Sequence, residues 1–186
     1  VDTVFSALAE KKVDAEIIPV TLSSIPKDCI DYKTPKTLGL DRYLACLGAF
    51  KQVEDAVVVV DAGTACTVDL MDRDGVFKGG VIMPGISLLE ESLQQNAEAL
   101  PRVSRNLPDA WPGKSTEECM QWGITGSFVH AVENHINQLL KTTETNHIFI
   151  TGGDAEVLAE YLSLQKRVDP LLVMKGLLAW QQLYKV

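Results

Sequence analysis

The chain has little positive charge, no paired cysteine motif and no long apolar run. Its 186 residues carry 17 Lys and Arg against 25 Asp and Glu, a net charge of −8. A surface of that sign repels a phosphate backbone, and no stretch concentrates enough basic residues to reverse it, so no nucleic-acid partner is expected. No apolar run is long enough to span a bilayer, and no membrane partner is expected either. Cys29, Cys46, Cys66 and Cys119 are scattered, without a C-x-x-C pair or a secretory leader. Free thiols in a reducing, cytoplasmic compartment are the expectation. The three histidines, His130, His135 and His147, show no metal-ligand spacing and read as structural.

What is present is enough apolar material for a core. Hydrophobic residues make up 46% of the chain, too many for a disordered protein. The length suits one large or two small domains.

Val4, Phe5 and Leu8 predict a helix over 3–12, and Glu16–Val20 a short strand. Thr21 to Leu38, with two prolines and many polar residues, reads as a loop. A helix is expected from Asp41 to Val53. Ala56-Val-Val-Val-Val-Asp61 is a strand covered on both faces. Cys66–Met71 and Val76–Met83 are two further strands joined by the turn Asp72-Arg-Asp-Gly75, and a helix follows over 86–95. Ser115-x-x-Glu118 is a capping box that opens a helical region to Leu140, interrupted near Gly123 or Gly126. A strand over His147–Thr151, a helix over Ala155–Leu164 and a last helix to Tyr184 complete the chain. The pattern predicts an α/β fold with a mixed sheet. A boundary near Glu54 or Asp55 divides it into a smaller lobe, 1–54, and a larger one, 55–186.

Asp61-Ala-Gly63-Thr64 closes a buried strand in a tight turn. Gly63 leaves its backbone open to a phosphate, and Asp61 would hold a cation that neutralises phosphate oxygens. The same residues could simply satisfy turn amides. Gly39-Leu40-Asp41-Arg42 has the same duality. Asp41 is either a proton acceptor for a hydroxyl, with Arg42 as a fork for an anionic group, or a first-turn carboxylate stabilised by the helix dipole. Gly79-Gly80-Val-Ile-Met-Pro84-Gly85 is a strand-to-helix junction or an anion site. Thr151-Gly152-Gly153-Asp154 is a nucleotide-facing turn or a helix cap. Thr116, inside the capping box, reads as structural by itself.

In order and spacing these motifs resemble the type III pantothenate kinases, of the acetate kinase, sugar kinase and actin superfamily. Tyr32 precedes Gly39-Leu-Asp41-Arg42. Asp61-Ala-Gly-Thr-Ala-Cys-Thr67-Val-Asp69, Gly79–Gly85, Ser92-Leu93, Leu100-Pro101, Ser115-Thr116, Thr151–Asp154 and Asp169-Pro-x-Leu-x-x-x-Lys175-Gly176-Leu177 follow. The resemblance implies an actin-like, ribonuclease H-like two-lobe kinase that phosphorylates pantothenate with ATP and Mg²⁺. It implies Asp41 as catalytic base, with Tyr32, Gly39, Leu40, Arg42 and Thr116 as pantothenate contacts. Asp61 would be the ligand of a monovalent cation (K⁺ or NH₄⁺), Gly63, Thr64, Gly152 and Gly153 would meet the nucleotide, and the protein would be a homodimer. The family opens with a strand carrying D-x-G-N-T. No such strand precedes Val1, and a native N-terminal segment is expected to be missing. A catalytically inactive regulatory homologue and a related kinase for another small substrate are the alternatives.

Overall fold

A computed structural model of the chain describes residues 18–97 and 99–184. Its centre is a five-stranded sheet of β1 (Val57–Ala62), β2 (Ala65–Met71), β3 (Phe77–Pro84), β4 (Ile148–Thr151) and β5 (Arg167–Val168). The spatial order is β3-β2-β1-β4-β5. β1 pairs antiparallel with β2 and β2 with β3, while β4 and β5 run parallel on the far side of β1. This is the mixed sheet of an α/β fold that the sequence pattern predicts.

β1 is central because it has apolar β-branched side chains to spare for both faces. Val58 and Val60 enter one core, with Phe128, Val132 and Ile136 of α4 (Ser127–Leu140) and Ile86 of α2 (Ile86–Asn96). Val57 and Val59 enter the other, with Tyr43, Leu44 and Leu47 of α1 (Leu40–Val53) and Leu172 and Trp180 of α6 (Leu172–Tyr184). The remaining helices are α3 (Thr116–Gln121) and α5 (Ala155–Tyr161). Asp61 continues the second series, so it emerges on the α1 side of the sheet. Asp69 of β2 stands opposite Val59 and therefore shares that face.

α1 and α6 cross at two glycines. A Cβ on Gly48 would lie 2.2 Å from the Leu172 carbonyl oxygen, and one on Gly176 would lie 1.9 Å from that of Leu44. Ile25 and Leu38, from the segment before α1, join the same core as the sheet residues Val57, Met71 and Phe149. Packing is thus continuous across residues 54 and 55.

Several boundaries differ from the sequence reading. No strand forms over Ile18–Val20, where Pro19 has no N–H to give a ladder, and Glu16 and Ile17 of the expected strand lie outside the described residues with the helix expected over 3–12. The 21–38 loop contains three single 3₁₀ turns. α5 ends at Tyr161, where Leu162 turns extended and drops into the core. The interruption near Gly123 and Gly126 is a π-helical turn, Trp122–Gly126, in which Gly126 makes room for the Trp122 ring. The two-residue strand β5, beside β4, carries no apolar pattern that would announce it in the sequence. Among the described residues no helix is long and apolar enough to cross a membrane.

Candidate active site

α1 begins with Gly39 in extended conformation as its cap, which leaves Asp41 exposed in the first turn. The Arg42 amide donates to Asp41 Oδ1 at 2.9 Å, holding the carboxylate over the helix N-terminus. Arg42 turns the opposite way and is only 7% exposed. Its Nε donates to Asp69 Oδ2 at 3.0 Å and its Nη2 to Asp69 Oδ1, while the guanidinium lies 5.6 Å from the centre of the Phe77 ring. Burial works against the Arg42 charge, but Asp69 and then Tyr32 outweigh it and hold the group above its ordinary pKa. Gly80 completes the fit, since a Cβ there would lie 2.4 Å from Asp69 Oδ1. The Tyr32 ring meets Phe77 edge-on at 6.1 Å and lies against Gly79.

Asp61 stands at the end of β1, half-buried. Burial first, and then the charges of Asp41 and Asp69, push its carboxyl above the ordinary range. The Asp41 charge at the start of α1 therefore reaches the Asp61 carboxyl at the end of β1. Among the described residues no protein hydrogen bond or ion pair reaches the Asp61 carboxylate, although its backbone is part of the β1 ladder. A half-buried carboxylate without a side-chain donor is a group that could hold a cation. Grouped His, Cys, Asp or Glu sets of three or more that could hold a metal are absent among the described residues.

Two backbone turns flank the Asp61–Thr64 turn. Gly152 has φ +94° and stands so close that a Cβ would meet Asp61 Oδ1 and the Ala62 oxygen, each at 2.6 Å. The Asp154 amide donates to the Ala62 oxygen at 2.9 Å. On the other side the Gly85 amide donates to the Thr64 oxygen at 2.9 Å. Thr64 is exposed, Gly63 half-buried, and Gly153 faces open space. Asp154 occupies the cap position of α5, yet its side chain bonds no helix amide and pairs with Arg105 instead.

Gly63, Thr64, Gly152 and Gly153 thus lie around Asp61 at the β1–β2 turn, and Gly39, Leu40 and Asp41 form the start of α1, whereas Arg42 and Tyr32 meet the sheet further along, at Asp69 and at Phe77 and Gly79. Thr116 is not gathered with them. It is exposed at the start of α3, in a groove with Leu93, Leu100, Lys114 and Met120. The sequence offers Arg42 as a fork for a substrate anion, whereas in the fold two of its three guanidinium nitrogens are engaged with Asp69. The sequence reading gave no role to Asp69, although a charged residue inside the apolar strand Cys66-Thr-Val-Asp-Leu-Met is a signal of a buried partner. Arg105 carried no signal, because it lies in a stretch without helix or strand.

A family profile for type III pantothenate kinase matches residues 3–138. A type III pantothenate kinase of Desulfosudis oleivorans is 31% identical over 179 residues, which cover 95% of this chain and 70% of that protein. One from Dechloromonas aromatica is 38% identical over 146 residues, covering 78% of this chain and 60% of its own length. A crystal structure from Campylobacter jejuni, described as a Baf family transcriptional activator, aligns with a TM-score of 0.58 at 28% identity, covering 81% of this chain and 66% of that one.

Proposed function

The chain belongs to the type III pantothenate kinase family, and from that membership we propose that it transfers the γ-phosphoryl group of ATP to the primary hydroxyl of pantothenate, the first step toward coenzyme A. The residue assignment rests on the placement of Asp41 at the start of α1 and Asp61 at the end of β1, near enough for the Asp41 charge to help raise the Asp61 carboxyl. In this reading 1–54 supplies the substrate and proton-transfer motif, 55–186 is the actin-like lobe, and the nucleotide binds between them.

Asp41 takes the hydroxyl proton. Its exposure at a helix N-terminus leaves the carboxylate free to meet a substrate, and the amide of Arg42 fixes its direction. Tyr32, Gly39, Leu40 and the remaining Nη1 of Arg42 border the pantothenate, and Thr116, in its separate groove, is left out of this set. Asp61 and the oxygens of its turn hold a monovalent cation, potassium or ammonium, that offsets phosphate charge. Gly63, Thr64, Gly152 and Gly153 present open backbone to the nucleotide. Mg²⁺, when bound together with ATP, would offset the charge of the phosphates, and no residue of this chain is assigned as its ligand. When bound, ATP supplies the phosphoryl group, and the protein's part is positioning and charge stabilisation. A homodimer and a cytoplasmic location, where ATP is available, belong to the same proposal. The exposed Leu171, Met174 and Leu178, at helical spacing, support a self-associating surface.

The test is ADP release by the full-length protein with and without pantothenate and potassium. Pantothenate-dependent ADP release that potassium stimulates is expected, and in Asp61→Asn the rate falls by roughly 10²-fold with the potassium response lost. ATP turnover that pantothenate does not stimulate would move the assignment to another small substrate. The description of the Campylobacter relative points to a second reading as a regulatory module, against which the net charge of −8 speaks for any direct DNA contact.

A further inference from the structure

Residues 99–115 form no helix or strand, yet one side chain ties this stretch to two separate elements. The Arg105 guanidinium donates from Nε and Nη2 to the two Glu90 oxygens at 3.0 and 2.8 Å and from Nη2 to Ser87 Oγ at 2.9 Å, and its Nη1 pairs with Asp154 Oδ1. Ser87 and Glu90 belong to the first turns of α2, directly after Gly85. Asp154 directly precedes α5 and follows Gly152 and Gly153. All three Arg105 nitrogens are engaged, in a half-buried position.

The two anchored turns are the ones that flank Asp61–Thr64. Gly85 bonds to Thr64 on one side, and Asp154 bonds to Ala62 while Gly152 packs on the Asp61 carboxylate on the other. The β1–β2 turn is therefore gripped between two backbone walls that share no hydrogen-bonded strand with each other. The side-chain link between those walls is Arg105. From this connectivity we infer that Arg105 is a positioning residue for the nucleotide and cation end of the site: it sets the gap between the Gly85 and Gly152 turns and so the shape of the Asp61–Thr64 turn they hold. The inference rests on the kinase reading for what that turn binds, but the brace itself does not.

Arg105 also keeps two carboxylates, Glu90 and Asp154, neutralised close to where triphosphate charge would sit. The field of Asp154 already reaches inward as far as the Cys66 thiol. Loss of the guanidinium would both loosen the walls and add uncompensated negative charge beside an anionic ligand. A lysine would restore charge but not the fork that spans Glu90, Ser87 and Asp154 at once.

The experiment compares full-length wild type, Arg105→Ala and Arg105→Lys by steady-state kinetics with each substrate varied, and by calorimetric titration with a non-hydrolysable ATP analogue. The KM for ATP is expected to rise roughly tenfold to 10²-fold in the alanine variant and less in the lysine variant, while the KM for pantothenate stays within about twofold. Should the alanine variant not fold, the lysine variant is read alone, with a smaller rise in the same direction expected. An unchanged ATP KM in the folded variants, or equal rises for both substrates, would overturn the brace. If wild type shows no pantothenate-dependent turnover, the kinase reading fails and the titration decides the brace: tight analogue binding weakened in the variants upholds it, and equal binding or none overturns it.

Discussion

Arg42 of α1 and Asp69 of β2 meet as a two-pronged ion pair inside the protein, 27 residues apart along the chain. Both side chains are almost wholly buried, at 7% and 2% exposure. The pair sits beneath Asp41 and beside Asp61, so it fixes the start of α1 against the sheet at the place where the site is assembled. Tyr32, Phe77 and the two glycines of β3 enclose it. Its energetic meaning is asymmetric: a buried pair adds little net stability, but half of one is costly.

Asp69→Asn is therefore expected to lower stability by roughly 3–5 kcal/mol, because the Arg42 cation is left buried without its partner. Arg42→Lys should be milder for folding yet raise the pantothenate KM, since an ammonium cannot make both contacts and still hold the first turn of α1. Chemical denaturation of the two single variants and the double variant measures the coupling. Additive effects would mean that the pair does not act as a unit.

Asp41→Asn should behave oppositely. The side chain is exposed and its loss removes a favourable charge at a helix N-terminus worth about 1 kcal/mol or less. Turnover should fall by roughly 10² to 10⁴, the range for loss of a general base. A thermal melt beside a kcat measurement separates the two, and wild-type-like turnover would remove Asp41 from its proposed role.

Asp169 supplies a pH dependence remote from the site. Burial opposes its charge, but Lys175, Gln52 and the Leu171 amide outweigh burial and hold its carboxyl below the usual carboxylate range. Gln52 and Leu171 donate to it at 2.9 and 3.1 Å, joining α1 to the start of α6. A carboxyl with a lowered folded pKa stabilises fully above its unfolded value, about 4, and loses that contribution as pH falls through the folded value. Lys175 is 43% exposed, so water screens its share and the two hydrogen bonds carry most of the effect. Asp169→Asn should lower stability by about 1–2 kcal/mol at pH 7, and the gap to wild type should close in acid below about pH 4. Urea midpoints of both proteins across that range give the comparison, and a gap independent of pH would contradict it.

Gly176→Ala should destabilise by about 1–3 kcal/mol or more, because its Cβ would strike the backbone of Leu44 rather than a movable side chain. Gly153→Ala, where a Cβ meets nothing within 4 Å, is the matched control and should leave the melting temperature within a degree or two of wild type.

Much of this protein was readable along the chain. The run Val57–Val60 announces a strand covered on both faces, because only a central strand can bury four β-branched residues in succession. The turn residues after Met71 announce a hairpin, and the glycine-bearing motifs announce three backbone turns of special shape. Alternation also sends Asp61 to the same side as Val57 and Val59, since a strand has no third direction in which to point a side chain. Which element covers that side is a matter of long-range packing. That α1 lies there, with Arg42 turned inward to Asp69 and Asp41 outward, depended on the partner that a buried charge could find across 27 residues. The grip of Arg105 on two turns and the distance of Thr116 from the other expected contacts were likewise settled only in three dimensions. Local sequence dictates the direction in which a side chain leaves the backbone, whereas the group it meets is determined by how the layers stack.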